Sequence, residues 1–554
     1  MTTPLPAVSR RRVLQAGGAL TGAAVLGLAA ADPAAGTPVR PAFAHGVASG
    51  DPLPTAVLLW TRVTPTPSAT PGSGAGPVVP VDWEVATDDR FRQVVRRGTV
   101  RTGPDRDHTV KVDATGLTPG RTYWYRFRCQ GVLSPAGRTR TAPADDAAVP
   151  RLRMAVVSCA NLQAGWFGAY RSLAARTDLD LVLHLGDYLY EYAPGEYQAR
   201  DVVVRPHDPP REMVTLADYR RRHAQYKADP DLQALHAVAP WVVTWDDHES
   251  ANDAWSGGAE NHTPGGEGEW TSRRAAAQRA YAEWMPVRYE AGGRLYRRFR
   301  CGRLASLSML DLRTYRSEQV SSPVDPALGD PGRTITGAEQ MDFLLEGLAD
   351  PAVQWKLVGN PVMVAPVQFP STLDARALQG LEALLGVDLP DQVGGLPYNV
   401  DQWDGYPAER AGVLGHLRDR GIRDTVFLTG DIHSGWAAEL PSDPLTYPVT
   451  GDSLGVELVC TSVTSDNLDD IVGSPPRTTS RAVETVIKGA NPHVKYLDFD
   501  SHGYSVLEVT PAHVQMDWFV LLDRTNRSSG AVWSTSWRVA AGSSRVIPAA
   551  RRLS

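Results

Sequence analysis

The hydrophobic pattern changes period near residue 150. Before it, Thr55–Thr61, Val81–Thr87, Arg97–Thr102, Thr109–Val112 and Tyr123–Cys129 are short β-branched and aromatic runs between Gly, Pro and Asp turns. Strands at this spacing predict a small all-β sandwich over residues 41–146. After Pro150, strand-like runs alternate with helical periods at Trp166–Arg176, Leu216–Ala228, Ser272–Tyr281 and Thr336–Leu348. Such alternation predicts a layered α/β domain, assigned to residues 150–530. Thr336 is the expected N-cap of the last helix, with Glu339 closing a capping box. Further strands are expected at Ala305–Leu310, Gln354–Val358 and Val456–Cys460, and residues 531–554 read as a C-terminal tail. The Gly/Pro-rich stretches 250–270 and 359–405 are long for structural loops and therefore read as functional ones.

Four apolar runs stop at residues of metal-ligand type. Arg153–Ser158 meets Cys159, and Asp180–Leu185 meets Gly186-Asp187-Tyr188-Leu189-Tyr190. Pro240–Trp245 meets Asp246-Asp247-His248-Glu249, and Thr425–Thr429 meets Gly430-Asp431-Ile432-His433. Runs of this kind are buried parallel strands, and open α/β sheets bind ligands beyond the strands' carboxyl ends. The expectation is one sheet edge carrying thiol, carboxylate, phenol and imidazole: a polynuclear metal site.

Composition narrows the function. The net charge of −6 disfavours nucleic acid or an anionic membrane as the main partner. Ser9-Arg10-Arg11-Arg12-Val13-Leu14, the apolar stretch Ala16–Ala30 and the small residues Ala29-Ala30-Ala31 resemble a twin-arginine export signal over residues 1–31. Its stretch is shorter than the roughly 18 apolar residues of a spanning helix. Removal of the signal takes three arginines and moves the charge from −6 to −9. The product is therefore expected outside the cytosol, secreted or periplasmic, after passage through the twin-arginine machinery. Four cysteines do not make a secreted disulfide scaffold, and Cys129, Cys301 and Cys460 read as small buried hydrophobes.

The residue types suit metal-assisted phosphoryl transfer, which uses ions about 3.5–4 Å apart bridged by a carboxylate. Asp187 suits the bridge. Tyr190 lies at i+3, where the turn can aim both side chains together, and a tyrosinate favours a hard, highly charged ion such as Fe³⁺. Asp431 and His433 are at i and i+2, so an extended segment would put both on one side. Asp246 and Asp247 need a cation beside them to stay charged when buried. Asn252 can donate to a phosphate oxygen. Arg313, Arg316 and Arg410 are equal candidates for a substrate clamp.

Several ordered motifs resemble one family. Gly186-Asp187-x-x-Tyr190, Asp247-His248-Glu249 and Gly430-Asp431-x-His433 resemble calcineurin-like metallophosphoesterase signatures. Ser158-Cys159, Trp245–Glu249, Phe43–Pro52, Leu310–Arg316 and Trp403–Pro407 are similar to the alkaline phosphatase D (PhoD-like) variant. Leu117–Tyr125 resembles the turn and strand of fibronectin type III modules. The resemblance implies a four-layer α+β metallophosphoesterase sandwich behind a fibronectin/Ig-like domain. It implies a secreted alkaline phosphatase or phosphodiesterase acting through a metal-activated hydroxide or oxide at an Fe³⁺/Ca²⁺ cluster. Cys159, Asp187, Tyr190 and His433 would hold Fe³⁺; Asp187 would bridge to Ca²⁺, with Asp247 and Asp431; Asn252 and His248 would meet the phosphate. The substrates would be small phosphate mono- or diesters. Asn360 stands where ordinary relatives carry an extra His. A purple-acid-phosphatase-like dinuclear enzyme and a non-catalytic extracellular binding protein with structural metals are the alternatives.

Overall fold

The computed structural model describes residues 42–197, 202–371 and 393–553, with five positions between 378 and 389. The export signal at 1–31 lies outside them. Two sheets pack face to face with helices on both outer faces, giving the expected four layers. One sheet has ten strands, in the order Val546–Pro548, Ala531–Ala540, His513–Leu521, Gly503–Val509, Leu152–Val157, Leu181–Leu185, Trp241–Thr244, Val47–Leu53, Ala56–Arg62 and Thr109–Thr115. The other has seven: Arg297–Cys301, Ala305–Met309, Trp355–Asn360, Thr425–Thr429, Ser453–Val459, Gly435–Pro441 and Val494–Asp498.

Alternation along each central strand builds the layers. Met154 and Val156 face the opposite sheet with Leu183, Val242, Leu357 and Leu428. Ala155 and Val157 face the helical layer with Val182, Trp241 and Val243. Both faces are covered, so these strands read as continuous apolar runs.

The N-terminal sandwich exists, but it is not a separate unit. Val47–Leu53, Ala56–Arg62 and Thr109–Thr115 extend the ten-stranded sheet, and Gly50 pairs in parallel with Trp241. The opposing small sheet contains Val79–Ala86, Val94–Thr102 and Thr122–Cys129. Val57, Leu59, Val81, Val85, Tyr125 and Phe127 fill the space between. Tyr123 Oη accepts from the Thr118 N–H at 2.8 Å, the corner that the fibronectin-like turn implies. The Phe43–Pro52 motif is structural: a Cβ at Gly50 would lie 1.9 Å from the Pro286 carbonyl oxygen.

Two expectations fail. Residues 531–554 are not a tail, because Ala531–Ala540 and Val546–Pro548 form the outer strands of the large sheet. The Gly/Ser-rich turn between them hid the alternation. The helix Ala338–Leu348 is capped by Gly337, with φ 73°, because Glu409 takes the Thr336 hydroxyl at 3.2 Å.

Candidate metal centre

The strand ends converge, but from two sheets rather than one edge. Leu152–Val157, Leu181–Leu185 and Trp241–Thr244 bring Cys159, Asp187, Tyr190 and Asp246–Glu249 from the large sheet. Thr425–Thr429 brings Asp431 and His433 from the smaller one. Beyond the strands the backbone turns left-handed at Cys159 (φ 58°), Asp187 (55°), Asp431 (62°) and His433 (52°). Non-glycine residues hold this conformation at a cost of roughly 1–3 kcal/mol each, which the surrounding packing sustains. Asp431 and His433 therefore converge through a turn, with Ile432 N–H donating to the Gly430 carbonyl at 2.8 Å, and not through an extended segment. Gly186 precedes Asp187 at φ 107°, and a Cβ there would lie 2.5 Å from the Asp246 Cβ.

Asp187 is the hub. Its carboxylate shares one group with Cys159 and His433, a second with Asp247 and His248, and a third with Asp246, Asp247 and Asp431. Within each group the donor atoms lie within 4.8 Å of one another. Tyr190 Oη donates to Asp187 Oδ2 at 3.0 Å, lies 3.2 Å from His433 Nε2 and accepts from Ser465 Oγ at 2.7 Å. His433 Nδ1 meets the Asp466 carbonyl at 2.7 Å, which turns Nε2 toward the group.

Two carboxylates beneath the group were not assigned from the sequence. Glu191 is fully buried and accepts from His248 Nδ1 at 2.8 Å, Asn252 N–H at 2.8 Å and Asn261 Nδ2 at 2.9 Å. One side chain thus fixes the two residues expected to meet phosphate. Glu249 accepts the backbone N–H groups of Asp187, Tyr188 and Asp246, tying two strand ends together. A charge inside the aromatic run Tyr188–Tyr192 was the available signal for Glu191. Asn252, with His248, Asp187, Asp247, Asp431 and His433, lines a cleft of about 480 Å³ including its open mouth.

The electrostatics are those of a group short of positive charge. Burial pushes Cys159 well above its ordinary value, and Asp187 pushes it further. Burial and then Asp187 do the same to Tyr190. Burial also raises Asp187, with His248 opposing and the neighbouring acids adding, and it raises Asp431 to about 6 against Arg313. Burial would raise Asp247, but Arg313 and His248 outweigh it and hold it low. His248 is raised because Asp247, Asp187 and Glu191 overcome the opposite effect of burial. Asp187 Oδ1 and Asp246 Oδ2 are buried and make no hydrogen bond among the described residues. Orphaned carboxylate oxygens beside a thiol, a phenol and an imidazole form a donor set able to hold cations, with mixed S/N/O donors on one side and oxygen donors on the other.

The family model described as PhoD-like phosphatase matches residues 154–518, and that for the PhoD-like phosphatase N-terminal domain matches residues 28–143. The chain belongs to the PhoD-like phosphatase family. It is 38% identical over 532 residues to alkaline phosphatase D of Bacillus subtilis (strain 168), covering 92% of this chain and 84% of that relative. A solved structure described as the structure of PhoD superposes with a TM-score of 0.82 at 36% identity, covering 94% of each chain. The protein is a hydrolase of phosphoric ester bonds.

Within this PhoD-like frame, the open sequence assignments acquire places. Arg410 pairs with Asp404, and Arg316 binds the Ala254 carbonyl at 2.9 Å and Asp401 at 2.7 Å, so both are structural. Arg313 pairs with Asp246 and Asp401. Asn360 donates to the Val362 carbonyl and accepts from Trp403 Nε1 at 3.1 Å. Asn161 caps the short turn Leu162–Ala164, accepting from Gln163 N–H at 3.2 Å. Cys129 and Cys460 are buried, Cys301 is half-buried, and all four cysteines are free thiols.

Proposed function

We propose that this PhoD-like phosphatase works with an Fe³⁺/Ca²⁺ cluster on small phosphate mono- or diesters. Cys159, Asp187, Tyr190 and His433 hold the iron; Asp187, Asp247 and Asp431 supply oxygens to calcium. The observation that carries this reading is the position of Asp187, shared by a thiol–imidazole group on one side and a carboxylate group on the other. Bound there, the cations supply an activated water-derived nucleophile and neutralise charge on the phosphoryl oxygens.

The chain's own residues do the rest. Glu191 holds His248 through Nδ1, which leaves Nε2 to hold or deliver a proton at the cleft. The same carboxylate holds the Asn252 backbone, so that the amide on its side chain can donate to a phosphoryl oxygen. Ser465 donates to Tyr190 Oη and so favours a phenolate there. The buried walls exclude bulk water and strengthen each of these interactions.

Export by the twin-arginine route to a secreted or periplasmic location is part of the proposal. The motif Ser9–Leu14 supports it, and so does a cluster that is best loaded before export of a folded protein. Among the described residues no helix is long and apolar enough to cross a membrane. The acidic charge argues against binding specific to nucleic acid. The test is hydrolysis of p-nitrophenyl phosphate and bis(p-nitrophenyl) phosphate before chelation, after it, and after calcium is returned. Chelation should abolish turnover and calcium restore it. Full turnover by protein shown to be free of iron and calcium would reject the reading.

A further inference from the structure

Arg313 is only 3% exposed, yet it meets four carboxylates from three chain segments. Its Nε pairs with Asp246 Oδ1, and its Nη1 lies 2.9 Å from Asp401 Oδ2. Its Nη2 points between Asp431 Oδ1 at 3.6 Å and Asp247 Oδ1 at 3.8 Å and makes no hydrogen bond among the described residues. Two nitrogens of the fork are spent on two acids, and the third faces two more without bonding either.

The guanidinium lies behind the group. The cleft is lined by Asp187, Asp247, Asp401 and Asp431, whereas Arg313 borders a separate pocket with Asp246, Trp245 and Trp270. Its backbone is pinned there. Asp311 Oδ1 accepts from Arg313 N–H at 3.2 Å, Thr314 N–H at 3.0 Å and Trp245 Nε1 at 2.8 Å. Trp245 immediately precedes Asp246, so one carboxylate sets the spacing between the arginine and the acids.

We infer that Arg313 is the internal counter-charge of the carboxylate group, a positioning residue that holds Asp246, Asp247, Asp401 and Asp431 together before any cation arrives and weakens their uptake of divalent cations. The inference rests on the cation-binding reading of Asp247 and Asp431, and its test separates the two. A fixed positive charge within 4 Å of these oxygens repels an incoming cation through a low-dielectric interior. A neutral side chain of similar length removes the repulsion and leaves the carboxylates repelling one another.

The experiment compares the full-length parent protein, Arg313→Met and Arg313→Lys, each stripped by chelator and then titrated with calcium chloride alone. Thermal unfolding and calorimetry are the readouts. In chelator, Arg313→Met should melt below the parent and Arg313→Lys between them. Calcium should raise the midpoint of Arg313→Met more than that of the parent, with affinity tighter by about tenfold or more. A parent-like midpoint for Arg313→Met in chelator overturns the inference, and so does calcium binding that is no tighter than the parent's. If Arg313→Met does not fold, Arg313→Lys decides: it keeps the charge without the fork, so its calcium affinity should stay within about threefold of the parent's. A change beyond about threefold in either direction would reject a charge-based role. If calcium binds neither protein while the chelator midpoints keep the predicted order, the calcium assignment fails and the counter-charge stands.

Discussion

Two buried ionisable clusters lie on either side of Tyr188, and they solve opposite problems. On the cleft side, Asp246, Asp247, Asp401 and Asp431 crowd around Arg313, and Asp187 and Asp246 each keep a carboxylate oxygen that makes no hydrogen bond among the described residues. On the helix side, Lys227 is 1% exposed, with Nζ 3.0 Å from Tyr188 Oη and 3.1 Å from His236 Nε2. It lies over the rings of Trp60 and Tyr188, at 4.7 and 5.1 Å. His45, His184 and His223 complete this second cluster, and neither ring nitrogen of His223 has a hydrogen-bond partner among the described residues. Asp229, the nearby acid, caps its own helix and pairs with Arg205. On the proposed reading, the acid cluster takes in cations from outside. Among the described residues no carboxylate pairs with Lys227, and burial shifts it and its histidines toward their neutral forms.

Breaking the acid cluster should have the largest effect. Asp187→Asn removes the carboxylate common to all three donor groups, and turnover should fall by about a thousandfold or more, the scale of losing a principal electrostatic element. Unchanged kcat in metal-replete Asp187→Asn would mean that the convergence on Asp187 is not catalytic.

The basic cluster should appear in stability rather than turnover. Burial pushes Lys227 well below its ordinary value and lowers His223 and His236 likewise, while His45 and His184 fall to about 3. Between the folded and unfolded values, the unfolded chain binds protons that the folded chain excludes, so stability rises with pH. Lys227 extends that rise to about pH 10.4, its unfolded value, and each excluded proton contributes about 1.4 kcal/mol per pH unit. Below about pH 6.5 the histidines oppose folding as well. In denaturant unfolding, the stability advantage of the parent over Lys227→Met should therefore change with pH, moving in the parent's favour as pH rises toward 10, while the buried thiols and phenols contribute equally to both proteins. An equal slope in both proteins would show that the amine is charged in the fold.

A smaller effect should separate the two clusters at their margin. Glu191→Gln leaves every expected metal ligand in place but loosens His248 and Asn252. We expect kcat to fall about 10–100-fold, the usual cost of a lost supporting contact, with metal content unchanged. Loss of metal together with activity would place Glu191 among the structural supports of the metal group instead.

The contrast also explains what could be read from the sequence. The strand ends were legible because a fully buried strand is a continuous apolar run, and a Cys, Asp or His at its end is conspicuous. Their meeting across two sheets was not legible, since no local pattern says which sheet Thr425–Thr429 joins. The left-handed turns at Asp431 and His433 are also invisible, because neither residue is a glycine. Lys227 was missed for the opposite reason. The helix Leu216–Lys227 carries three arginines, a glutamine and a lysine and reads as a surface element, yet Arg220, Arg222, His223 and Lys227 are all buried. Tertiary packing overrode composition there. At Thr336, Glu409 from a distant segment captured the hydroxyl and displaced the local cap.

The central claim is that a thiol and a phenol, both protonated when buried alone, are held at Asp187 as ligands of iron. The most direct measurement is the visible absorption spectrum of the metal-replete protein, taken alongside its metal content and repeated on Cys159→Ser and Tyr190→Phe. The account predicts a coloured protein containing iron and calcium, with the absorption band shifted or lost in both variants. A colourless protein containing zinc alone would contradict it.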